Sequence, residues 1–237
     1  MILYSGMFQG NTIQRIVKTF LLFLSVYLCV SMILHHYILP ETSPQIMDYP
    51  RSGDIIINKF SKEKFIFRKT SVESDGMYSQ NDLYIDRSGF DPRPHVHLNQ
   101  DETFQILEGE LTILIEGKEN TIRRGQTFTV QRGFVHQYLN LGKEEMHAIV
   151  TVNPAEKFDL MLTQFHGFFT KDEEPPNELI WFLQTIMYNT YYDTYPAKFP
   201  VLFQRALSFI LSPTVRLMGL HSWYPEFSEK WRHSENR

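Results

Sequence analysis

Cysteine is almost absent: Cys29 is the single thiol in 237 residues. One thiol forms neither an intrachain disulfide nor a thiolate cluster, so any metal ion here must be held by imidazole and carboxylate. Blocks of lysine and arginine are missing too. The 23 basic and 27 acidic residues give −4 at pH 7 with histidine neutral, whereas nucleic-acid binding needs a clustered basic face. Nucleic acid is therefore excluded as the main partner, and a DNA-coupled sensor with it, since no helix-turn-helix region accompanies the rest. The glycosylation acceptor N-x-S/T does not occur. What remains is an ordinary globular composition, 43% apolar and 21% charged. It suits one core with appendages rather than two full domains.

The first appendage is apolar. Thr19 to Leu34 carries no charge, and the run extends through Tyr37, Ile38 and Leu39 toward Pro40. Arg15 and Lys18 precede it and Glu41 and Asp48 follow, so the positive-inside rule predicts a single-pass anchor with a cytoplasmic amino terminus and the remainder outside or lumenal. A cleaved signal peptide, with Phe20 to Val30 as its apolar region and secretion as its outcome, is the competing reading. A buried core helix fits less well, because the apolar character surrounds every helical face. Residues 1–40 are thus the amino terminus and membrane segment, and the Pro-containing stretch 41–53 is a linker.

Short strand-like runs come next: Asp54 to Ile57, Phe65 to Phe67, and Leu83 to Ile85, separated by Ser, Asp, Gly and Asn. From Thr103 to Val152 the pattern continues, with turns at Glu108-Gly109, Gly117 to Asn120, Arg124-Gly125 and Gly142-Lys143. Regular short strands without intervening helices predict a mainly β sandwich or barrel over 54–153.

Within it lie two spaced constellations. Gly89 is followed by His95, His97, Glu102 and Gly109 at intervals of five, one, four and six intervening residues, and a second block runs Gly125, Gly133, His136, Asn140. This ordered pair resembles the cupin superfamily across about Asp54 to Val152. The one departure is Gln131, which stands where the second signature has proline; no ligand is lost with it. The resemblance implies a double-stranded β-helix, the cupin jelly roll, and one divalent metal ion on His95, His97, Glu102 and His136.

Elementary geometry supports the same four. His95 and His97 at i and i+2 face one side of a strand, Glu102 begins the next strand after a polar turn, and His136 arrives from a later one. Three imidazoles and a carboxylate suit iron, manganese, nickel, copper or zinc. Gly89, Gly109, Gly125 and Gly133 are candidates for positive backbone torsions at tight corners, while Pro92 and Pro94 hold the approach to His95 extended. Tyr138 and Asn140 share the inward face of His136, where each either orients a ligand or serves structure, Tyr138 as core packing and Asn140 as a turn cap. Arg93 reads as a solvated loop residue with a lesser claim on an anionic substrate. His147, His166, His221 and His233 match no motif position and read as structural.

Residues 154–237 form a helical extension. Helical spacing covers Glu156 to His166 with Gly167 as its stop, a second helix spans Glu178 to about Tyr192 after the acidic loop Lys171 to Pro176, and a third runs Val201 to Leu211, ended by Ser212-Pro213. Trp181, Phe182, Tyr191, Tyr192, Phe199, Phe203 and Phe209 suit packing on the barrel or a homo-oligomeric contact, with interfacial membrane contact as the lesser reading. The expected function is a membrane-anchored, metal-dependent enzyme, dioxygenase-like or isomerase-like, on a small molecule. The alternative is a non-catalytic, metal-stabilised ligand-binding or assembly module.

Overall fold

The computed structural model describes residues 11–38, 40–90, 93–169 and 177–231. Pro92, His233 and the acidic loop 171–176 lie outside them. An apolar helix α1 (Thr12–Ile33) comes first, capped by Asn11, whose side chain accepts from the Gln14 amide. At 22 residues it is long and apolar enough to cross a membrane, about 33 Å at 1.5 Å per residue, and it starts one to two turns before the uncharged run.

Ten strands follow: β1 (Ile55–Asn58), β2 (Glu63–Lys69), β3 (Ser79–Ile85), β4 (His95–His97), β5 (Asp101–Glu108), β6 (Glu110–Ile115), β7 (Lys118–Arg123), β8 (Thr127–Val130), β9 (His136–Leu139) and β10 (Met146–Asn153). Then come α2 (Phe158–Phe169), α3 (Glu178–Tyr192), β11 (Thr194–Pro196), α4 (Val201–Leu217) and α5 (Pro225–Lys230). The strands form two antiparallel sheets, one ordered β1-β2-β3-β10-β5-β8 and the other β11-β4-β9-β6-β7. This is the mainly β jelly roll, with an apolar helix before it and helices after it.

Alternation builds the core. Along β3 and β10 every second residue is buried, so Leu83, Ile85, Ala148, Val150 and Val152 face inward to meet Phe104 and Ile106 of β5. Each large apolar side chain so buried stabilises the fold by about 1.5–3 kcal/mol. The β6–β7 hairpin turns on Glu116 and Gly117, both with positive φ (48° and 76°), a geometry that matches the strand twist. Lys118 to Asn120 belong to β7 rather than to the turn.

Three local expectations are corrected. Gly89 does not have a positive φ. It is required because a Cβ there would meet the Asp86 and Ser61 carbonyl oxygens at 2.9 Å, whereas Gly109, Gly125 and Gly133 do take positive φ. Gly167 does not end α2. It lies inside the helix, where a side chain would collide with the ring of Phe227 on α5. Pro213 does not end α4 either: Val215 and Arg216 beyond it are buried, and that packing carries the helix through a residue that has no amide to donate.

The extension does not stand apart from the barrel. β11 adds to the edge of the second sheet, pairing Thr194 with His97 and Pro196 with His95. Asp159, buried in the first turn of α2, accepts from the Ser71 amide and the Ser79 hydroxyl, which pins α2 across the barrel mouth. Trp181 and Tyr192 are buried in this packing, but Phe182, Phe199, Phe203 and Phe209 are exposed. The amino-terminal helix meets the same region, since Tyr27 of α1 donates to the Ile210 carbonyl of α4 at 2.6 Å and lies 2.8 Å from the Thr214 hydroxyl.

Candidate metal centre

Two strands of one sheet and one of the other bring the four predicted residues together. β4 carries His95 and His97, β9 pairs beside it so that His136 stands opposite His95, and Glu102 comes from β5 across the sandwich. Each contributes a donor atom, and all four lie within 4.8 Å of one another. His97, Glu102 and His136 are buried, His95 less so.

The hydrogen bonds on the far side of each ring decide what the near side offers. His95 Nδ1 lies 3.1 Å from the Arg93 carbonyl, and His136 Nδ1 lies 3.1 Å from the Phe134 carbonyl. A carbonyl only accepts, so the acceptor assigns the ring proton to Nδ1 and leaves Nε2 as a lone pair. His97 Nδ1 lies 3.2 Å from the Thr194 hydroxyl, which itself donates to the Tyr192 carbonyl and so receives the ring proton. In the neutral rings three bare Nε2 atoms face inward. His95 and His97 Nε2 are 3.1 Å apart, and His136 Nε2 is 3.0 Å from Glu102 Oε2. Burial, and then the neighbouring imidazoles, hold His97 well below the usual histidine range, so the ring is neutral. Converging lone pairs and a carboxylate repel one another unless a cation lies between them, and outward Nδ1–H bonds are the arrangement that orients metal-ligating imidazoles. The donor set fits a divalent transition metal.

The centre opens into a cavity of about 90 Å³ between barrel and helices. Phe65, Phe158, Phe165, Trp181 and Tyr188 form much of its wall. A second polar cluster shares it: Tyr138 donates to Glu63 Oε1 at 2.6 Å, and the Ser61 hydroxyl donates to the other carboxylate oxygen. Tyr138 is thus both packed and engaged in the cavity. Asn140 is a turn cap: its amide donates to the Ile85 and Glu144 carbonyls at 2.8 Å while its oxygen accepts from the Gly142 amide. Arg93 sits at the rim, paired with Glu178 at 2.9 Å.

His166, read as structural, is buried on α2 in the cavity wall, 3.0 Å from the Asn58 amide nitrogen. His147 stacks on Tyr84 and lies 2.7 Å from Asp82, outside the centre. Glu63, His166, Trp181 and Thr194 were not legible as site residues. Only Glu63 leaves a sequence signal, a charge in register with the inward Phe65 and Phe67. The others depend on how a distant segment docks.

Residues 84–152 match the family model described as Cupin domain. Among curated proteins, the chain is 31% identical over 83 residues to oxalate oxidase 1 of Hordeum vulgare and 35% identical over 83 residues to germin-like protein 3-3 of Oryza sativa subsp. japonica. Each match covers 32% of this chain, and 41% and 36% of the relatives respectively, so the chain spans well under half of either. Among solved structures, a predicted oxalate decarboxylase from Thermotoga maritima aligns with TM-score 0.37 and 16% identity over 38% of this chain and 79% of that one. KdgF from Halomonas sp. aligns with TM-score 0.35 and 16% identity over 39% and 79%. With its two glycine-histidine signatures in order and its strands closed into a jelly roll, the barrel of this chain belongs to the cupin superfamily.

Proposed function

We propose that this chain is a membrane-anchored cupin that holds one divalent transition metal through His95, His97, Glu102 and His136 and acts as a metal-dependent enzyme on a small molecule, in dioxygenase-like or isomerase-like chemistry. The supporting observation is the convergence of four donor atoms, with the ring protons of the three imidazoles held outward. Bound there, iron, manganese, nickel, copper or zinc supplies Lewis acidity and, for the redox-active ions, one-electron chemistry.

The chain's own residues do the rest. Arg93, Phe134 and Thr194 orient the rings. Aromatic side chains form much of the wall beside the centre. The Tyr138–Glu63 pair holds a proton at Tyr138 Oη, within the cavity that also contains the metal ligands, where a general acid would act. In this reading 54–153 is the barrel, 154–237 is the extension that closes it, and α1 is the anchor following a cytoplasmic terminus, with 41–53 as linker.

Oxalate, named by several of the curated relatives, is the first compound to assay. Activity on it does not transfer from a match covering 41% of that protein. The decisive experiment is elemental analysis of the purified full chain beside His136→Ala. About one metal per chain in the wild type is expected, with more than a hundredfold weaker retention in the variant, since even outer-shell partners are worth 10–100-fold. A wild type without stoichiometric metal ends the proposal.

A further inference from the structure

The enclosed cavity does not end at its aromatic wall. Arg93, Trp181, Thr185, Asn189 and Pro196 line both this cavity and an open groove of about 960 Å³ between α3 and α4. Leu179, Phe182, Phe199 and Phe203 form the outer part of that groove and remain 65%, 39%, 42% and 50% exposed. Exposed apolar side chains lining a groove that continues from a polar centre make it a candidate binding surface. The cavity itself admits six to nine water-sized volumes, taking 90 Å³ at about 10–15 Å³ each. Trp181, which stands where cavity and groove meet, is 3% exposed and its Nε1–H has no hydrogen-bond partner.

The position of the groove identifies its occupant. Tyr27 docks on Ile210 of α4, six residues before the end of α1 at Ile33, or about 9 Å along the helix axis. That distance is the depth to which interfacial helices bury their apolar faces, about 5–10 Å. On the anchor reading, with α1 leaving the bilayer near Ile33, α4 with exposed Leu202, Phe203 and Phe209 lies at the bilayer surface.

We propose that the site takes a lipophilic small molecule: a compact head group occupies the cavity beside the four donors, and an apolar tail runs along the α3–α4 groove to the membrane from which the molecule is drawn. This rests on the membrane-anchored, metal-dependent reading above and adds the substrate class to it.

The test uses the full chain in lipid nanodiscs with Trp223→Phe and Trp231→Phe, so that Trp181 is the sole fluorescent reporter. It is titrated with phenol, 4-butylphenol and 4-octylphenol, with free probe measured by dialysis to remove the effect of partitioning. Affinity is expected to tighten about fourfold for each methylene that enters the groove, and Phe203→Ser and Phe199→Ser, both at exposed positions, each weaken the octyl probe by several-fold. Octylphenol preloaded into the protein's own nanodisc is expected to reach Trp181 faster than the same amount added from water. A flat chain-length series, or tail-independent loss in the serine variants, overturns the proposal, and equal rates by the two routes overturn delivery from the membrane. Metal content measured on the same samples separates the two readings: chain-length dependence without metal sinks only the enzyme assignment, and metal with a flat series sinks only the lipophilic substrate.

Discussion

The floor and the roof of the cavity are built by different rules. The floor is strand: His95, His97, Glu102 and His136 sit on period-2 elements whose neighbours are set by ladder registers. The roof is mainly helix, with Phe158 and His166 on α2 and Trp181 and Tyr188 on α3, joined at its edge by Thr194 on the short strand β11. A strand commits each side chain to one face as soon as the register is chosen. A helix on the barrel mouth can roll or slide, so its cavity residues are fixed only by the contacts that pin it, such as Asp159 to Ser71 and Ser79. The difference teaches that the candidate metal ligands are fixed by the registers of the floor, while the size and polarity of the cavity are decided by the roof.

Three experiments press on this contrast. The largest effect is expected from the floor's packing: Phe104→Ala, at a fully buried position against Tyr138, costs about 3–5 kcal/mol in chemical denaturation. Leu179→Ala on the outer face of the roof, 65% exposed, stays within about 0.5 kcal/mol. Equal losses at the two sites would erase the distinction.

The next effect tests whether the roof reaches the metal. Thr194→Val keeps the shape of the side chain and removes the oxygen that receives the His97 Nδ1 proton, so metal affinity, measured by competition with a chelator, is expected to fall about 10–100-fold. Unchanged affinity would confine the metal centre to the barrel.

The smallest effect concerns the pin between floor and roof. Burial raises the Asp159 carboxyl above the usual aspartate value of 3.8, more than the Ser79 and Ser71 hydrogen bonds lower it. The folded chain therefore holds this proton more tightly than the unfolded chain. The associated stability is present below the unfolded value and is lost as pH rises through the folded one. Urea midpoints from pH 4 to 7 are expected to show wild type losing ground relative to Asp159→Asn as pH increases. A constant difference across that range would remove the charge from the account of how α2 is held.

The sequence by itself determined the barrel and the identity of its four convergent donors. Alternation places His95 beside His97 on one face, the turn between β4 and β5 returns Glu102, and the glycines at 109, 125 and 133 permit corners that other residues resist. Those are short-range consequences of period and torsion. Only the tertiary structure decided that Gly167 yields to Phe227, that α4 continues past Pro213, and that His166, Trp181 and Thr194 complete the cavity. Each of these turns on contact between segments far apart in the chain. Such contacts are selected by close packing of particular shapes, which a local pattern of apolar and polar residues does not encode.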